Sequence, residues 1–105
     1  MNKVEESFKN RAFRTRGGEG LYLYSKSDAL QFIEACKKEN VKILGLDGFF
    51  LFGEKVQPSI ENSVDYSSII HTHQPKDIYS AALKFLETKD EKLFFEIVCA
   101  NQPIR

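Results

Sequence analysis

Cysteine is scarce in this chain. There are two among 105 residues, Cys36 and Cys99, too far apart in sequence for a zinc knuckle or a redox pair. They read as buried thiols of a reducing compartment, where a free cysteine packs as a small hydrophobe. Disulfide staples are not needed, because 42% hydrophobic residues, with nine Phe and four Tyr, supply core enough for a domain of this length. Long apolar runs are also missing. No stretch approaches the roughly 20 residues needed to span a bilayer. The opening MNKVEESFKNRAFRTR has no apolar run of signal-peptide length, and Glu5 and Glu6 do not suit a transit peptide. Neither end shows a lipidation signal. These absences predict a cytoplasmic protein with no membrane partner. Net charge is absent as well: 15 Lys and Arg balance 15 Asp and Glu, so no overall field draws the molecule onto nucleic acid or anionic lipid. Internal repeats, low-complexity tracts and linkers are lacking, and residues 1–105 are expected to form a single domain around one core.

Charge is nonetheless unevenly placed. Residues 1–16 hold Lys3, Lys9, Arg11, Arg14 and Arg16 against Glu5 and Glu6, whereas residues 44–66 hold Asp47, Glu54, Glu61 and Asp65 against Lys55 alone. Val4, Phe8 and Ala12 give residues 1–19 a faint helical period, broken at Gly17-Gly18-Glu19-Gly20, which predicts a short helix or a loose basic arm. Leu21–Tyr24 favours a strand. Ser25, Ser27 and Asp28 then offer N-caps to a helix over 27–39, whose Ala29, Leu30, Phe32, Ile33 and Cys36 share a face, with Asn40 able to close it.

Val41–Leu46 is a nearly continuous apolar run suited to an interior strand. Asp47-Gly48 next either centres a hairpin turn that sends Phe49–Phe52 back, or marks a bulge in one continuous strand. Ile60–Tyr66 alternates, predicting Ile60, Val64 and Tyr66 inward and Glu61, Ser63 and Asp65 outward. Ile78, Ala81, Ala82, Phe85 and Leu86 fit an amphipathic helix over 76–88, and Leu93–Ala100 reads as a central strand. This order predicts an α+β fold: a mainly antiparallel sheet of four or five strands with two principal helices packed on it, in a split βαβ-like arrangement. Ile33, Ile43, Leu44, Ala82, Phe85, Leu86, Phe95 and Ile97 are its expected core.

Catalytic chemistry finds little support. His71 and His73 lie in a polar stretch flanked by Asp65 and Asp77, but an HxH pair without cysteines or a carboxylate at a defined spacing matches no common zinc pattern. Asp47, Glu54, Glu61 and His71 are the right groups for a hydrolase or nuclease, yet nothing in their spacing fixes them within hydrogen-bond reach. The segment RTRGGEG lacks the lysine and the strand–turn–helix setting of a phosphate loop. Phe8, Phe13, Tyr22 and Tyr24 interleave with basic residues as in single-strand binders, so a nucleic-acid-binding domain using the N-terminal arm is the alternative; the neutral charge and acidic middle weigh against it. The expectation is a non-enzyme without metal or cofactor.

What remains is LDGFFLFGEKVQPSIENSVDYSS. Its Asp47, Glu54, Glu61 and Asp65 make an anionic patch, and Phe50 or Tyr66 supplies an aromatic anchor, a combination suited to a basic protein partner. Ile43-Leu-Gly-Leu-Asp-Gly48, placed after an amphipathic helix and before an aromatic strand, resembles the ILGIDG stretch of immunity proteins that neutralise tRNA-cleaving colicins and related polymorphic or contact-dependent inhibition toxins. Gln57-Pro58-Ser59 and Asp65-Tyr66-Ser67 extend the likeness, which covers residues 28–100 in element order. The resemblance implies a cytosolic antitoxin that occludes the cationic active site of a toxin, a nuclease in that family, with an acidic surface standing in for phosphates. The chain departs from that family's acidic character by being neutral overall, which bears on the toxin's substrate more than on the mode of binding.

Overall fold

The starts of the first two helices are set by side chains that satisfy free backbone groups. In the computed structural model, which describes residues 2–15, 20–53, 55–67 and 75–100, helix α1 (Lys3–Phe8) opens on a capping box. Asn2 Oδ1 accepts from Glu5 N at 2.8 Å, and Glu5 Oε1 accepts from Asn2 N at 2.9 Å. A 3-10 turn, Lys9–Arg11, leads to the two-residue strand β1 (Phe13–Arg14). This segment is docked, not loose: Val4 and Phe8 are buried, and the Phe8 ring lies 5.2 Å from that of Phe32. Strand β2 (Tyr22–Ser25) runs directly into α2 (Lys26–Glu39). Ser25 Oγ caps that helix by accepting from Asp28 N at 3.2 Å, and Asn40, at φ 60°, closes it in the left-handed conformation. Strands β3 (Ile43–Phe52) and β4 (Lys55–Asp65), helix α3 (Pro75–Glu87) and strand β5 (Phe94–Cys99) follow. No helix among the described residues is long and apolar enough to cross a membrane.

The five strands form one sheet in the order β1-β2-β5-β3-β4, antiparallel at every pairing. Strands β2 and β3 therefore run parallel with β5 between them, and β4 and β5 run parallel with β3 between them. These are two interleaved split βαβ units, crossed by α2 and α3, and the fold is α+β as its pattern predicts. Phe32, Ile33 and Cys36 of α2, Ile78, Ala82 and Leu86 of α3, and Ile43, Leu46, Phe95 and Ile97 of the sheet meet in one core. Both helices thus cover the same sheet face. Tyr79 Oη donates to Val41 O at 2.7 Å inside it. Of the expected core positions, Leu44 and Phe85 are only half-buried; Leu44 sits at a bulge.

Asp47-Gly48 does not turn the chain. Strand β3 passes straight through it, and the hairpin closes at Gly53, φ 63°, with Phe52 opposite Lys55. Two irregularities shape β3. Against β5 the register slips between Ile43 and Gly45, which lets Ile43 and Leu46 both face the core although their spacing would put them on opposite faces. Against β4 it slips between Leu46 and Gly48: Leu46 pairs with Val64 and Gly48 with Ser59, so Ile60–Ser63 bulges out opposite Asp47. Ser63 Oγ accepts from Gly48 N at 3.0 Å and donates to Ser59 O at 2.7 Å, while Asn62 Nδ2 donates to Ser59 Oγ at 2.8 Å. A β-carbon on Gly48 would collide with the Asn62 carbonyl oxygen, and one on Gly45 would lie 2.7 Å from that of Val64. Both glycines are needed because β4 passes so close. Within the alternation read over Ile60–Tyr66, Tyr66 is buried and Glu61 and Asp65 are exposed as expected, but the bulge corrects the first position. Ile60, expected inward, is 90% exposed, because inserted residues reset which way each side chain points.

Candidate functional site on the open sheet face

Antiparallel partners share a face of the sheet, and the register sorts the residues cleanly. Tyr24, Phe95, Ile97 and Leu46 point toward the helices. Phe13 pairs with Leu23, Phe49 with Phe94 and Pro58, Asp47 with Glu96, and Gly45 with Val98 and Asp65, and these lie on the opposite face. Leu23 and Phe49 are buried yet stand outside the main core cluster, as expected of residues on that second face. None of the described helices packs there. The face is divided in two: an apolar part around Phe13, Leu23, Phe94 and Phe49, and an acidic part built from Asp47, Glu96 and Asp65.

Asp47 stands directly across from Glu96, a like-charge pairing that destabilises a sheet. Burial, then the neighbouring Asp65 charge, raises the Asp47 carboxyl above the ordinary carboxylate range. Burial, then Asp47, does the same to Glu96. Asp65 behaves differently. Its Oδ1 accepts from Ser67 N at 2.8 Å, and that bond holds its pKa below the usual range. None of the ion pairs among the described residues, Lys3–Glu39, Lys9–Glu6 and Arg11–Asp28, includes any of the three. The described residues contain no group of three or more ligating side chains close enough to hold a metal ion. Two adjoining hollows, of about 380 and 230 Å³, share Asp47, Val64 and Asp65 in their walls.

The residues singled out in the sequence are only partly brought together. Asp47 and Asp65 share the patch. Glu61 is exposed on the bulge. Phe50 falls on the opposite side of β3 from Asp47, near the hairpin end, where it is 36% exposed and its ring lies 6.4 Å from that of Phe52. Tyr66 must be corrected: it is 5% exposed and belongs to the core, because the bulge restores the inward phase just before it, so it offers no aromatic anchor to a partner. Glu54, His71 and His73 lie outside the described residues. Glu96 was missed. Its signal was present as the only charge in the apolar run Leu93–Ala100, but only strand pairing shows that it stands across from Asp47.

The basic N-terminal residues are largely engaged within the fold. Lys3 pairs with Glu39 at 3.7 Å and Lys9 with Glu6 at 3.0 Å. Arg11 lies 3.5 Å from Asp28, donates to Gln31 Oε1 at 2.8 Å and covers the Phe8 ring. Arg14 stacks 4.1 Å above the Tyr22 ring. These contacts tie the segment to the body of the domain. The two cysteines, distant in sequence, are neighbours in space. Hydrogen bonding between their thiols holds Cys99 below the ordinary thiol range, while that bond and burial push Cys36 up. No family model, curated protein or solved structure matches the chain.

Proposed function

We propose that the chain is a non-catalytic binding protein of the immunity type, which neutralises a toxin by covering a cationic active site with the open face of its sheet. The carrying observation is the Asp47–Glu96–Asp65 patch. Three carboxylates are gathered with no ion-pair partner among the described residues, and burial and neighbouring charge make two of them harder to ionise than an ordinary carboxyl. Such an arrangement weakens the free domain and is compensated when a cationic surface closes over it. The flanking aromatic residues Phe13 and Phe94, neither of them fully buried, provide the apolar area that surrounds charged anchors in tight interfaces. The ILGLDG resemblance supports the same reading, with its glycines explained by the close passage of β4.

The test begins at the neighbouring genes: the reading expects an exported protein encoded beside this chain, and the toxic domain of that protein is the binding partner used. Co-expression should restore growth. The purified pair should bind, with Asp47→Lys, Glu96→Lys or Asp65→Lys each weakening affinity by at least about tenfold, since like-charge juxtaposition at an interface costs several kcal/mol. Glu34→Lys and Glu87→Lys, on exposed helix positions, serve as controls. Equal affinities for all folded variants, or no growth rescue, would refute the reading.

A further inference from the structure

Resting on the acidic-face reading above, we infer that the hollow beside the β4 bulge is a seat for one arginine side chain of the basic partner. Its walls are Asp47 and Asp65 together with Phe49, Pro58, Ile60 and Val64, and its volume is about 380 Å³. That mixture matches an arginine: a planar cation with several donors, carried on an aliphatic stem that packs against apolar surface. Asp47 and Asp65 interact electrostatically, so a single cation placed between them relieves a repulsion that each carboxylate alone would not feel. Asp65 already accepts one hydrogen bond at Oδ1, and a carboxylate has further acceptor positions for an incoming donor.

The rim is the second part of the argument. Ile60 is 90% exposed in the wall of the hollow, and it is displayed by a bulge tied by three hydrogen bonds through Ser59, Asn62 and Ser63. An exposed aliphatic side chain on a tethered bulge, beside two carboxylates, supplies what a long cationic side chain leaves uncovered, namely contact along its stem. Charge complementarity selects the head group and Ile60 selects its length. A lysine, a compact charge on a flexible stem, would engage the two acids less completely than a guanidinium fork.

Titration of the isotope-labelled full chain with N-acetyl-arginine amide, followed by two-dimensional amide NMR, tests this without the toxin. Saturable shifts are expected at Asp47, Ile60, Ser63 and Asp65, with the corresponding lysine amide weaker by about fivefold. Asp65→Asn should weaken arginine amide by about tenfold, as loss of a charge-assisted hydrogen bond implies. Ile60→Ser should weaken it by about fourfold through lost stem contact; its side chain faces solvent, so that variant tests the seat even where Asp65→Asn disturbs the turn at Ser67. Absence of saturation, or equal response to the two amides with Ile60→Ser indifferent, would overturn the inference. If the toxin still responds to Asp47→Lys while arginine amide fails to bind, the arginine seat falls and the acidic face stands. If the toxin ignores every charge reversal, the acidic face itself falls.

Discussion

Replacing Glu96 by glutamine should stabilise the free protein while weakening its proposed interaction. Glu96 and Asp47 face each other across β5 and β3, and like charges so placed oppose pairing by about 0.2–1 kcal/mol. Both side chains are only partly buried, and solvent screening places the gain near the middle of that range, about 0.5 kcal/mol. For a domain of this size that corresponds to a rise in Tm of about 2–4 °C. The dependence on pH provides the stricter check. With both carboxyls raised above their ordinary range, the native state keeps protons that the unfolded chain has already released. The destabilisation therefore develops as pH climbs from the ordinary carboxylate range through the raised values, and vanishes below it. Asp65, lowered by its bond from Ser67, acts in the opposite sense: its contribution is present above the ordinary range and is lost as pH falls through its depressed value. Urea unfolding of wild type and Glu96→Gln at neutral pH and at about pH 3, where carboxyls are mostly protonated, separates these effects. A gain at neutral pH that disappears in acid is expected. A loss at neutral pH, or a gain of equal size at both, would refute the like-charge account.

Gly48→Ala should destabilise by about 1–3 kcal/mol in urea unfolding, the usual range for forcing atoms into packed space, because its β-carbon would meet the Asn62 carbonyl; amide exchange should quicken at Ile60–Ser63 in the same variant. Phe8→Ala should cost about 3–5 kcal/mol if α1 is docked on Phe32 and Tyr24, whereas a loss under about 0.5 kcal/mol, typical of surface positions, would mark a loose arm. Thiol labelling of the native protein should modify Cys99, half-buried and shifted toward thiolate, before the buried Cys36; mass spectrometry showing Cys36 modified first would contradict that order.

The helices and their caps were legible because a period of 3.6 and a capping serine are local properties, recoverable from a few neighbouring residues at Ser25–Asn40 and Ile78–Leu86. The class followed from element order. What was not legible depends on which strands lie side by side. Asp47-Gly48 carries the same two residues whether it turns a hairpin or lets another backbone pass closely, and only the approach of Asn62 decides between them. The inward phase assigned to Ile60 failed because a bulge is invisible until its partner strand is known. Glu96 was not legible as a site residue for a related reason: it stands out within Leu93–Ala100 as a charge in an apolar run, but only the register with β3 puts it across from Asp47.

The position of β5 has a consequence for how the molecule is made. The last described strand of the chain lies in the interior of the sheet, between β2 and β3, so a nascent polypeptide that has emerged only as far as α3 holds two unjoined pieces, β1–β2 with α2 and the β3–β4 hairpin. Each presents an open ladder where β5 will later sit, together with apolar side chains such as Leu46 that Ile97 will later meet. Strands exposed in this way are the ones that pair with the wrong chain. Closure of the sheet must then wait until Phe94–Cys99 has left the ribosome, and chaperone dependence during synthesis should be greatest in the interval between the emergence of β3 and that of β5.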